Sequence, residues 1–424
     1  MIMGIIYFSP HNKMQKKNIL FILPFFPYPL ESGGHQAIFN GIKALVGKAN
    51  IFIAFFDFEN KVTNKEKKKL QKALNCKIQI FPLKDNQFLH LFPKAIQSLI
   101  ISLWKIKQSI MNKDINSQIT NHDRFFINEL PKNTVSKIIQ KYNISIVQCE
   151  MLRTAGFVNY LPTGVKTYFV HHEIGFVRRE LETSTLKLSK SQIDLQKEKE
   201  KEISILNKFN NIITLSSIDT QKLKDAGVTK PIYTSFATIK QYTGEIPKIH
   251  DHHTLTFLGP SSHAPNKIGI EWFLGNCWEK LKKIDSQYKL QIIGKWSDTD
   301  MEPIQKKYKD ISFLGFIQDL NKSIPGSIMI IPITIGSGIR MKILEAAQYN
   351  LPVVTTSIGI EGIPANQSKE CFIADTPNDF INSILKCRQK NTRRYLVKNM
   401  NEFIRKYYSF DVFKNNRLAF YDLN

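Results

Sequence analysis

The stretch from Pro332 to Gly362, PITIGSGIRMKILEAAQYNLPVVTTSIGIEG, constrains this chain more than any other. Ile328 to Ile333 reads as a buried strand, followed by a glycine loop (Gly336, Gly338) and a helix. A stop at Asn350-Leu351-Pro352 leads into a second strand, Val353 to Thr356, closed by Gly359. Strand, helix and strand in one run is the repeating unit of a parallel α/β sheet. The glycines sit where backbone has to come close to something, and the helix behind them offers unpaired N–H groups and a positive dipole end. An anion site is expected there. Arg340 and Lys342 fall in the first turn of the helix, where cations oppose the dipole by about 0.3 kcal/mol or more each. A diphosphate would offset that cost by meeting N–H groups, dipole and both cations at once. Glu345 lies on the same helix face as Lys342, three residues on, which alone is equally the geometry of a surface ion pair.

At 424 residues the chain is too long for one ordinary core and suits two domains of roughly 150 to 250 residues. A net charge of +23 favours nucleic acid, anionic lipid or a nucleotide sugar as partner without choosing among them. The cysteines (Cys76, Cys149, Cys277, Cys371, Cys387) show neither CxxC spacing nor nearby metal-spaced histidines, so neither a zinc site nor a disulfide framework is expected, and a reducing cytosol fits. Lys16-Lys17 before an apolar run imitates a signal peptide, but Pro24, Pro27 and Pro29 argue against its helical region. Ile19 to Leu23 is read instead as the first strand, behind a short leader.

A proline-rich turn and Glu31-Ser32-Gly33-Gly34-His35 then precede a helix from Gln36 to about Gly47, and the paired glycines permit close approach to backbone amides. Strands are expected at Ile51–Phe58 and Ile78–Leu83, with a lysine-rich solvated helix between them. Phe88 to Met111 is apolar, basic and Trp-bearing. Its uncharged run is shorter than the about 20 residues a membrane span needs, which leaves a core helix or one lying on an anionic bilayer. The strand Ile144–Gln148 ends at Glu150, an acid at a strand's carboxyl end and so a candidate acceptor contact. Lys166–Val170 delivers His171-His172-Glu173, a poor metal site for want of a third ligand. Ser191 to Phe209 reads as a charged helix and Asn211–Leu215 as a strand. The hydrophobic pattern lapses between Ala237 and Thr254.

The βα rhythm restarts with Leu255–Leu258, the loop Gly259 to Lys267, and a helix carrying Trp272, Phe273 and Trp278. Leu290–Gly294 is the next strand. Asp298-Thr299-Asp300 imitates a metal-binding acidic motif but sits in the wrong fold pattern for one. Ile317, in Phe313-Leu314-Gly315-Phe316-Ile317, suits a slot for a flat base. Asp379–Cys387 is a helix, and an aromatic tail runs from Tyr395 to Tyr421.

Gly336-Ser337-Gly338-Ile339-Arg340-Met341-Lys342-Ile343-Leu344-Glu345-Ala346, followed by Asn350-Leu351-Pro352-Val353-Val354, resembles the donor loop of retaining glycosyltransferases of family 4. Many members carry a second acid eight residues before the helix glutamate; Ser337 stands there here, as in a subgroup with Gly-Ser-Gly-x-Arg-x-Lys. The resemblance implies the α/β GT-B fold, with two Rossmann-like doubly wound domains facing across a cleft. Residues 1–240 would form the acceptor-side domain, 241–253 a linker, 254–394 the nucleotide-sugar domain, and 395–424 helices crossing back. It implies catalytic roles for His172 (with His171 as reserve), Arg340 and Lys342. Donor contacts would come from Gly33, Gly34, Asn266, Lys267, Ile317, Gly336, Ser337, Gly338, Ile339 and Glu345, the last on the ribose. The implied activity is metal-independent, hexosyltransferase-type transfer with retention from a nucleotide-diphosphate sugar, with no cofactor and no nucleic-acid partner. A glycan or lipid-linked acceptor, surface polysaccharide or glycoconjugate synthesis, and a cytoplasmic location with peripheral contact to an anionic membrane follow from the same likeness. A sugar-nucleotide epimerase of similar fold is an alternative lacking this loop pattern, and a basic nucleic-acid or membrane-binding protein is another resting on charge alone.

Overall fold

The computed structural model describes residues 16–57, 62–83, 131–185, 192–238, 253–317, 319–336 and 339–423. Its first half comprises β1 (Asn18–Leu23), α1 (Gly33–Leu45), β2 (Asn50–Phe56), α2 (Asn64–Leu74), β3 (Gln79–Leu83), α3 (Lys132–Lys141), β4 (Ile146–Glu150) and α4 (Leu152–Ala155). β5 (Lys166–His171), α5 (Gly175–Thr185), α6 (Gln192–Leu206), β6 (Asn211–Thr214), α7 (Ser217–Asp225) and β7 (Ile232–Thr234) follow. The strands form a parallel sheet in the order β3-β2-β1-β4-β5-β6-β7. β1 and β2 are apolar almost throughout because helices cover both faces of the sheet. Strand order reverses beside β1, whose neighbours are β2 and β4, and in doubly wound sheets it is at such a reversal, outside the carboxyl ends of the strands, that ligands bind.

The second half repeats the design with β8 (Thr254–Leu258), α8 (Ala264–Phe273), a π turn (Leu274–Trp278), α9 (Glu279–Ile284), β9 (Lys289–Ile293), α10 (Asp298–Lys307), β10 (Ile311–Phe313) and β11 (Ile328–Ile331). α11 (Met341–Gln348), β12 (Val353–Thr355), β13 (Phe372–Ile373), α12 (Pro377–Arg388), α13 (Lys390–Tyr407) and α14 (Phe410–Phe420) complete it. The sheet order is β10-β9-β8-β11-β12-β13, with the reversal between β8 and β11. The glycine loop and α11 lie at that reversal.

An expected division between residues 394 and 395 falls inside α13. Leu396, Met400, Phe403 and Ile404 keep this helix on the second core. The element that crosses back is α14, whose Leu418 joins the first core with Tyr421 just beyond it. Lys17 Nζ donates to the Tyr421 carbonyl (2.9 Å) and Tyr168 Oη to that of Phe420 (2.7 Å). The first sheet's last strand ends at Thr234 and the second sheet begins at Thr254. Residues 241–252 of the expected linker, the stretch Phe88–Met111 and the leader before Lys16 lie outside the described residues. Among the described residues no helix is long and apolar enough to cross a membrane.

Candidate functional site

The loop after β11 turns at Gly336, whose φ of +117° favours glycine; a Cβ there would stand 3.0 Å from Arg340 Nη2. Ser337 and Gly338 lie outside the described residues. Arg340 is the N-cap of α11 rather than a first-turn residue, and it is buried. Lys342 does not pair directly with Glu345. Its Nζ donates to Asn266 Oδ1 (2.6 Å) and lies 4.3 Å from the centre of the Phe257 ring. Asn266 is almost fully buried, and its Nδ2 donates to the Pro260 carbonyl (2.9 Å). Gly259 makes that possible: its φ is +140° and a Cβ would lie 2.5 Å from Asn266 Nδ2. Lys267, expected beside the diphosphate, bonds Asp300 instead (2.6 Å), which also accounts for one acid of the imitation metal motif. Ile317 packs against the second core, and Ile339 lies against both cores.

Charge is crowded at the start of α11. Burial and the neighbouring Arg340 hold the Lys342 ammonium down to about 7, and burial lowers Arg340 as well. Burial raises Glu345, against a hydrogen bond from Gln36 and the charge of Lys342. His263, the N-cap of α8, is kept neutral, lowered to about 3 by burial and then by Arg178, Lys342 and Arg340. Two helix starts, two cations and a neutral imidazole from the second domain thus meet Arg178 of α5, which is bonded to Glu173 (3.0 Å). An anion placed among them would relieve this repulsion.

The opposite wall comes from the carboxyl ends of β4 and β5. His172 Nε2 sits 2.6 Å from Glu150 Oε2. Glu150 is 2% exposed, and its other oxygen accepts from Gln148 Nε2, whose Oε1 accepts from Tyr421 Oη. Glu150 therefore stands behind His172 and is not laid open on the cleft surface for an acceptor. His171 points the other way, as strand alternation requires. It bonds Glu202 (2.8 Å), which also accepts from the Gly175 and Phe176 amides and so fastens the start of α5. The reserve histidine is thereby committed to structure.

Gly33 and Gly34 permit close approach, but of protein. A Cβ on Gly33 would lie 2.8 Å from Met341 Cγ, and one on Gly34 2.9 Å from Met151 Cε. Gln36 Nε2 donates to Glu345 Oε1 at 2.5 Å, joining α1 to α11. Lys295–Glu31 (3.2 Å) and Lys222–Glu361 also cross between the halves. Gln36, Arg178 and His263 were not among the residues the sequence singled out. Gln36 had a signal, two residues after the glycine pair; the other two had none beyond their place near strand ends. Among the described residues no group of three His, Cys, Asp or Glu could hold a metal ion.

Two doubly wound parallel sheets, each ending in glycine-bearing loops that meet across a crevice, are the GT-B architecture. Residues 252–390 match the family model described as glycosyl transferases group 1. Among solved structures, TarM of S. aureus superposes with a TM-score of 0.68 at 14% identity, covering 96% of this chain and 100% of that one. HepE of Anabaena gives a TM-score of 0.64 at 13% identity, over 96% and 99% of the two chains. Sucrose-phosphate synthase of Thermosynechococcus elongatus gives 0.67 at 12% identity, over 96% and 98%. Likeness at these identities concerns the fold. Comparison with curated protein sequences gives no match.

Proposed function

We propose that this chain is a glycosyltransferase that moves a sugar from a nucleotide-diphosphate donor to a glycan or lipid-linked acceptor, with retention and without a metal. One observation carries the reading: Arg340, Lys342 and Asn266 gather at the start of α11 in the crevice, with Glu345 one turn further along. Leaving-group departure builds negative charge on the diphosphate, and the two cations with the α11 amides stabilise it where it forms. His172, held from behind by Glu150, faces the sugar from the other wall. The two halves shut water out of the cleft and so limit donor hydrolysis. A cytoplasmic enzyme of polysaccharide or glycoconjugate synthesis, working peripherally at an anionic membrane, fits the chain's net charge of +23.

The TarM structure holds UDP and α-GlcNAc-glycerol, and the HepE structure holds UDP and glucose, so UDP-sugars are the first donors to try. The test is a panel of UDP-, GDP- and ADP-sugars, read by thermal shift and donor hydrolysis. One class should raise the melting temperature. Lys342→Ala and Glu345→Ala should each abolish hydrolysis in a folded chain, and near-normal turnover in both would sink this placement of the site.

A further inference from the structure

A hydrogen bond from the other half of the molecule reaches Glu345. Among the described residues Gln36 is its hydrogen-bond partner, reaching from the first turn of α1 to Oε1 at 2.5 Å. The approach is fixed on both sides. Gly33, three residues earlier, lies against Met341 in the first turn of α11, and the Gln36 amide N–H is itself bonded to the Ser32 carbonyl (3.1 Å). Lys342, on the same face of α11, directs its Nζ to Asn266.

We propose that Gln36 is a positioning residue of the nucleotide subsite, supplied by the opposite domain: its side-chain amide fixes the Glu345 carboxylate in the orientation a ribose diol meets. This rests on reading α11 as the nucleotide site. Because Gln36 and Glu345 belong to different halves, the carboxylate is set only when the cleft is closed. A carboxylate accepting an N–H is favoured in its charged form, and Gln36 opposes the rise that burial imposes on Glu345. The charged group that acts on Glu345 is Lys342 of its own helix; burial and then Glu345 and Asp319 raise Tyr349, the C-cap of α11, and from α1 Glu345 meets the neutral Gln36.

The experiment measures UDP affinity by calorimetry across the acid range, with GDP and ADP alongside, for four chains. In the wild type, affinity falls on the acid side as Glu345 protonates. Gln36→Leu should weaken binding about tenfold at neutral pH and move that fall up by about one pH unit. Gln36→Glu donates only when protonated, so its affinity should rise from neutral to mildly acidic pH, opposite to wild type. Lys295→Ala removes the Lys295–Glu31 pair, which also crosses the cleft but does not touch Glu345. It should leave the acid limb where it is. If Gln36→Leu behaves like Lys295→Ala, or Gln36→Glu follows the wild-type profile, Gln36 only helps to close the cleft and the proposal falls. A wild-type chain that binds none of the three nucleotides would overturn the nucleotide reading itself.

Discussion

Lys342 is held in the middle of its titration range. With its pKa lowered to about 7 by burial and by Arg340, it is about half charged in neutral solution. A bound diphosphate favours the ammonium and raises that value, so binding takes up a proton above neutrality. Affinity for UDP should therefore fall as pH rises through 7 toward the pKa of the complex. Calorimetry at mildly alkaline pH, in two buffers of different ionisation enthalpy, should give different apparent enthalpies in proportion to the proton taken up. Identical enthalpies would show that Lys342 keeps one charge state throughout. Arg340 adds no such dependence, since a guanidinium stays protonated. Burial first, and then the same crowding, keep His263 neutral: an imidazolium there would be desolvated and a further cation beside Arg178, Lys342 and Arg340. As a neutral ring it can still accept a hydrogen bond.

At the level of elements, α8 and the end of β11 are pressed together at Gly269. A Cβ there would stand 2.6 Å from the Pro332 carbonyl oxygen, a backbone atom that cannot swing away. Gly269→Ala should cost about 1–3 kcal/mol, read as a lower urea midpoint with an unchanged slope. Gly275→Ala is the control: nothing lies within 4 Å of its added methyl, and an alanine in a helical segment is neutral to mildly stabilising. The elements that carry this contact were legible in the sequence. β11 is a continuous apolar run and β12 opens as one, β8 and β9 are apolar strands broken by Thr256 and Gln291, and the glycine loop with Arg340, Lys342 and Glu345 is one local unit whose order sets where α11 starts. Other pieces were hidden. β7 and β13, the edge strands of the two sheets, are three and two residues long and so too short to show a strand period, although each pairs with the strand just before it in the chain. α5 begins where the amides of Gly175 and Phe176 find Glu202, a cap supplied from α6. Likewise Gln36–Glu345 and His172–Glu150 pair residues far apart in the chain, and no spacing rule announces them.

For the molecule as a whole, α13 and α14 divide their loyalty. The first completes the core beneath the second sheet; the second lies on α1 and delivers Tyr421 to Gln148, and through it to Glu150 and His172. Removing residues 410–424 should therefore damage the distant half. Limited proteolysis of that truncated chain should clip residues 16–238 rapidly while a fragment spanning 254–407 persists. Equal resistance of both halves would show that α14 is an accessory.

Tyr421 and Leu418 also set an order of events during synthesis. A ribosome releases β1 to β7 long before it makes α14, so the first half waits with part of one face of its sheet uncovered while the second half is translated and folds on its own core. Vectorial folding, in which the leading domain is finished before the trailing one begins, is closed to this chain. The half that carries His172 is completed last.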